Sequence, residues 1–195
     1  MNCPYCQSAV REDSAACPRC GLTVEKASAF FGTAPRLEPG VSDPAGVLPC
    51  GDVRRVKRAI AGFERKFPQA GFTAAFMALP AETPGPAYTM WAFNCGLPAA
   101  PARQGAANRH VLLLVDTAGG GAWMTPGYGL EPFVGTRHLQ QCLDAAAPHF
   151  AAGRWAEGAL AALAELEALF REIITSLPRI FGLIPAAPAT APATR

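Results

Sequence analysis

Charge is scarce in this sequence. Asp, Glu, Lys and Arg make up 16% of its 195 residues, against about a quarter in ordinary globular chains. The formal net charge is only +2. Such a balance gives no electrostatic case for nucleic acid or for an acidic membrane face. Long apolar runs are missing as well. None approaches the roughly 18 to 20 residues of a membrane span, and the nearest, Ile173 to Ile184, is broken by Pro178 and Arg179. The start has neither the charged opening nor the apolar run of a secretory signal. These absences predict a soluble, cytoplasmic protein with reduced thiols, where metal ligation is favoured over disulfides.

The common catalytic fingerprints are absent too. Gly119-Gly120-Gly121 lacks the Lys-Ser/Thr ending of a phosphate loop. Gly127-Tyr128-Gly129 is no dinucleotide motif, because Pro132 stands where a third glycine belongs. None of the five serines sits in a Gly-x-Ser-x-Gly elbow. The three histidines, His110, His138 and His149, read as structural. Cys50 reads as a spare thiol, and the i, i+4 pair His138 and Cys142 as an ordinary helical neighbourhood.

Cysteine is the residue that is present with a pattern. Cys3-Pro-Tyr-Cys6 and Cys17-Pro-Arg-Cys20 are two Cys-x-x-Cys knuckles inside the first twenty residues. Two intervening residues let one tight turn aim both sulfurs at a single ion, and tetrahedral zinc needs four soft donors about 2.3 Å away. Gly21 follows the second knuckle, where the chain turns back without a β-carbon. Arg11 and Arg19 lie close enough in sequence to offset the charge of four thiolates. A thioredoxin-type pair would need a preceding strand, and only two residues precede Cys3. Four cysteine ligands fill zinc's coordination, so the module is expected to be structural, with Cys3, Cys6, Cys17 and Cys20 as its ligands. About twenty residues form no core unaided, so the metal supplies the folding energy. The segment resembles the short zinc ribbons that open many bacterial proteins.

The remaining chain reads as residues 25–40, a linker, residues 41–177, a regular α/β domain, and residues 178–195, a disordered Pro/Ala/Thr tail. The pair Phe30-Phe31 is placed to dock on one of the joined domains. Asp52 is expected to cap a helix whose Val53, Val56, Ile60, Phe63 and Phe67 share one face. Gly71 to Leu79 reads as a buried strand, and Ala87 to Cys95 as a short helix. Gly96 to Asn108 reads as a loop. His110 to Asp116 is apolar on both faces and therefore a central strand. Ala122 to Gly129 reads as a strand that Pro126 places at an edge or bulge. Thr136 is expected to cap the next helix, and a long helix runs from about Arg154 to Leu177. Strands alternating with helices imply an α/β layer fold.

Three acids stand in suggestive places: Asp43 at the start of the domain, Asp116 at the end of the central strand, and Glu131 after a glycine turn. Carboxylates from separate loops could hold a hard cation such as calcium or magnesium. The stretch from Thr125 to Leu166, with Gly127-Tyr-Gly-Leu-Glu131 and then Pro148, Phe150 and Gly153, resembles the second half of a TPM domain. Val41, Asp43, the helix around Asp52 and the strand Val111 to Val115 resemble its first half. The likeness spans about residues 41–172. It implies an α/β/α sandwich and, since this family includes a thylakoid-lumen acid phosphatase, a metal-dependent phosphatase activity resting on acidic residues. Where the family usually has Asp at the helix after Gly-Leu-Glu, this sequence has Thr136. Gly119 to Gly121 replace a basic residue usual in the turn before it, and Arg109-His110 replace Asn-Gly before the central strand. Three readings follow. The first is a TPM-like domain with a binding or assembly role and little catalysis, meeting a protein partner through the ribbon. The second is a metal-dependent phosphatase acting on phosphate monoesters. The third is nucleic-acid binding through the ribbon, against which its balanced charges speak: Arg11, Arg19 and Lys26 face Glu12, Asp13 and Glu25.

Overall fold

The fold is seen in a computed structural model, which describes residues 3, 5–6, 8–11, 14–96 and 107–180. Eight helical and strand elements build the α/β body: β1 (Val41–Ser42), α2 (Cys50–Lys66), β2 (Gly71–Met77), α3 (Gly85–Gly96), β3 (His110–Asp116), β4 (Ala122–Pro126), α4 (Thr136–Ala151) and α5 (Trp155–Ile180). Helix α1 (Val24–Phe31) precedes them, and a short 3-10 turn, Ala107–Arg109, leads into β3. The four strands lie in the order β1-β2-β3-β4. The first three are parallel, and β4 returns antiparallel to β3.

Alternation in the strands divides the core into two layers. Phe72, Ala74 and Phe76 of β2, with Val111, Leu113 and Val115 of β3 and Met124 of β4, meet α2, α4 and α5. Ala75, Leu112, Leu114 and Trp123 turn the other way, onto α3 and Leu37. Helix α2 lays down Val56, Ile60 and Phe63, one face at helical spacing. Phe63, Phe67 and Phe170 of α5 form a trio with ring centroids 5.1 to 5.4 Å apart. Outside that contact, Arg55 pairs with Glu157 at 2.6 Å and Lys66 with Glu167 at 2.6 Å. These bridges are largely exposed and contribute little beside the aromatic contact.

Several local expectations shift. Residues 25–40 are more than a connection, because α1 occupies Val24–Phe31 and is capped by Thr23, whose Oγ1 accepts the Lys26 N–H at 3.1 Å. Phe31 docks with its ring 5.3 Å from both Tyr88 and Trp91 of α3, and Trp91 Nε1 donates to Ser28 Oγ at 3.0 Å. Phe30 remains exposed. Helix α2 begins at Cys50, so Asp52 lies in its first turn, where it favours the helix dipole and pairs with Arg55 at 3.3 Å. Gly135, not Thr136, holds the N-cap of α4, and His138 Nδ1 accepts the Gly135 N–H at 3.2 Å. Pro126 does fall on an edge strand. Most of the predicted loop before Asn108, and the predicted tail from Phe181, lie outside the described residues.

Phe63 is fully buried between two aromatic partners. Phe63→Ala is therefore expected to cost about 3–5 kcal/mol in denaturant unfolding. Glu157→Gln, at the exposed pair, is expected to change stability by less than about 1 kcal/mol.

Candidate functional site

The cysteine pattern folds as its spacing requires. Cys3 N–H donates to Ser8 O at 2.7 Å, Cys17 N–H to Leu22 O at 2.9 Å, and Gly21 N–H back to Cys17 O at 2.9 Å. Gly21 takes a φ of +66°, the left-handed turn predicted for it. The four sulfurs of Cys3, Cys6, Cys17 and Cys20 all lie within 4.8 Å of one another. Two of the separations, Cys3 to Cys20 and Cys6 to Cys17, are 3.6 Å. A tetrahedron of thiolates about 2.3 Å from an ion has edges of about 3.8 Å, so the donor set fits a single tetrahedral metal ion. Cys3, Cys17 and Val10 are buried together in a small core of their own.

The electrostatics of the cluster suit a bound cation. Ser8 Oγ lies 3.4 Å from Cys6 Sγ and, with the Ser8 backbone, lowers the Cys6 thiol to about 6. Cys17 is lowered by the backbone N–H groups of Cys20 and Arg19, against burial. The Leu22 N–H favours the Cys20 thiolate, yet burial and the three neighbouring sulfurs outweigh it and push Cys20 up to about 12. Four thiolates do not coexist without a positive ion, so metal entry releases protons. Arg19 reaches Ser8 Oγ at 3.4 Å, at the edge of the cluster as its sequence position suggests.

The three acids are not brought together. Ser42 pairs with Ala75 and Asp116 with Met77, so Asp43 and Asp116 stand at the carboxyl ends of β1 and β3 with β2 between them. Two strand spacings separate those backbones by about 10 Å. Asp43 Oδ1 and Oδ2 accept the N–H groups of Val47 and Leu48 at 3.1 and 2.8 Å. Asp116 Oδ1 accepts those of Leu79 and Ala118 at 3.1 and 3.0 Å. Glu131 follows β4, which runs back down β3: Gly127 N–H donates to His110 O and Gly129 N–H to Asn108 O. Glu131 thus sits at the amino end of the parallel strands, about 20 Å along β3 from Asp116. Among the described residues, the cysteines form the one group of three or more potential metal donors lying that close together.

Glu131 instead lines a groove of about 600 Å³ along the outer edge of β4. Trp123 and Thr125 form its floor, Thr136 of α4 flanks it, and Ala9 and Val10 of the cysteine module form part of its wall. The sequence hid this joint surface because its parts are more than a hundred residues apart.

One further group, expected to be structural, is electrostatically unusual. His110 Nε2 lies 2.9 Å from the hydroxyl of Thr73, which is buried, and burial lowers the ring to about 4.

An α/β/α layered domain carrying a four-cysteine cluster that could hold a metal ion is the class these features define. The family model for the TPM domain matches residues 41–169, and the chain belongs to that family. It matches no curated protein. Its fold is similar to the solution structure of the N-terminal domain of a protein from P. gingivalis, with TM-score 0.53, 17% identity, and coverage of 69% of this chain and 83% of that one. The N-terminal domain of the cg2496 protein from Corynebacterium glutamicum is similar too, with TM-score 0.52, 16% identity, and coverage of 67% and 79%. At these identities the likeness concerns the fold alone.

Two outcomes follow from the electrostatics. Asp116→Ala leaves two backbone N–H groups without their acceptor and is expected to cost about 1–3 kcal/mol in denaturant unfolding. The pKa of His110 is lower folded than unfolded, so the native state binds fewer protons and stability rises with pH. That contribution is complete above about pH 6.5 and is lost as the pH falls through about 4. Comparing His110→Gln with the parent across this window should show a shallower slope for the variant.

Proposed function

We propose that this TPM domain is a binding module with little or no catalysis, that its cysteine module is a structural zinc ribbon, and that both meet a protein partner along the β4 groove. The observation that carries this reading is the division of the acids. Asp43 and Asp116 are occupied with backbone N–H groups at one end of the sheet, and Glu131 stands at the other. That division speaks against a three-carboxylate cation site. The groove supports a partner-facing role, because its walls come from ribbon and domain together and β4 has a strand neighbour on one side only. The filled thiolate set leaves zinc no open coordination position, so the ribbon holds shape and does not process substrate.

The alternative, a metal-dependent phosphatase, draws on Asp43 and Asp116 sharing the carboxyl end of the strands, the usual place for ligands in α/β sheets. An aryl phosphate assay with millimolar calcium or magnesium separates the two. No hydrolysis above blank is expected. Steady hydrolysis by the purified protein, abolished by Glu131→Gln or Asp116→Asn, would overturn the binding reading.

The ribbon has its own test. Metal analysis is expected to find about one zinc per chain, and Cys17→Ser to lose it. Stripping the metal with a chelator is expected to shift the fluorescence of Trp123, which shares the groove with Ala9 and Val10. That change should vanish in Trp123→Phe.

A further inference from the structure

At the amino end of the parallel strands lies a second, open cavity of about 980 Å³, lined among others by Glu64, Arg65, Gln69, Gly71, Arg109 and His110. Its chemistry is set by hydrogen-bond accounting at Thr73. The Thr73 hydroxyl is buried and already accepts the Gly40 N–H at 3.3 Å. A buried hydroxyl also needs an acceptor for its own hydrogen. The acceptor within reach is His110 Nε2, at 2.9 Å. Thr73 therefore donates to Nε2, and the neutral imidazole carries its hydrogen on Nδ1.

That Nδ1 lies over Gly71, where a β-carbon would stand only 2.3 Å from it. Glycine lets the imidazole pack directly against the backbone at a residue that also lines the cavity. Arg65, in the last turn of α2, and Arg109, just before β3, bring two guanidinium groups to the same cavity. Neither makes an ion pair among the described residues, unlike Arg55 and Lys66 on the same face of the protein as α5. Gln69 adds an amide. The one acid in the cavity, Glu64, is half-buried, accepts the Phe72 N–H at 3.4 Å, and is raised by burial, against that hydrogen bond. Ionised Glu64 still leaves the two arginines in excess.

We propose that this cavity binds a small oxyanion, a sulfate-, phosphate- or carboxylate-bearing molecule, through Arg65, Arg109 and the Nδ1–H of His110. Planar guanidinium forks match such anions with paired charge-assisted hydrogen bonds. The imidazole adds a donor whose direction Thr73 fixes. The site is independent of the β4 groove and of the three acids.

The test titrates the full chain with sodium sulfate and, separately, sodium succinate, with sodium chloride at matched ionic strength to remove general screening. Binding is read from the ring nitrogens of His110 by NMR and from the melting temperature. The Nδ1–H form is expected in the absence of ligand, with a saturable change at His110 on adding at least one of the two anions. Arg65→Ala and Arg109→Ala are each expected to weaken that binding about tenfold. Arg54→Ala, elsewhere on α2, is expected to leave it unchanged. Which anion saturates tells a tetrahedral ligand from a carboxylate. The proposal is overturned by an Nε2–H tautomer, by no saturable change with either anion, or by equal affinity in the Arg109→Ala protein.

Discussion

Parallel pairing of Gly71–Met77 with His110–Asp116 leaves a sheet with no face that can meet water. Every position of β3 from Val111 to Asp116 is buried, and β2 is buried from Phe72 to Phe76. Both faces must therefore be covered by helices. The larger layer meets this need with three amphipathic helices, α2, α4 and α5. The smaller layer has α3, which is buried nearly all round, from Gly85 and Ala87 through Trp91 and Phe93. A helix of that kind needs a cover of its own. Helix α1 provides it through Phe31, and Lys26 of α1 donates to Gly21 O beside the second cysteine knuckle. The position of the cysteine module thus traces back, through α1 and α3, to the demand of the central strands.

That chain of dependence explains what could be read in the sequence. Central strands declare themselves by unbroken apolar runs, and α2 and α5 by spacing, so these elements, the layer class and the cysteine knuckles are legible from the order of residues alone. Helix α1 was masked by the Gly and Pro residues that follow it. Its signal was Thr23 ahead of Glu25, a cap with an acid in the first turn. That α2 and α3 cover opposite faces was not legible either, because each connects neighbouring parallel strands and neither sequence says which side it takes.

The place of Glu131 was readable, and shows how a site can be misassembled from sequence. Five residues connect β3 to β4. A parallel crossover takes a dozen or more. So short a turn forces β4 to run back, which carries everything after it, Glu131 included, to the opposite end of the sheet from Asp116. Acids that look like a set along the chain are separated by the direction of one strand.

The direction of β4 also decides where unspent polar chemistry collects. At the carboxyl ends of the strands, Asp43 and Asp116 hold their loops by accepting backbone N–H groups. At the amino ends the balance is reversed: Arg65 and Arg109 share their cavity with one acid, Glu64, and make no ion pair among the described residues, and the Thr73 hydroxyl bonds to His110. Glu131, which lines the β4 groove, also lies at that end. In α/β sheets the carboxyl end is the usual place for a ligand. Here the carboxylates at that end help to hold the fold, and the arginines and His110 of the second cavity lie at the other end.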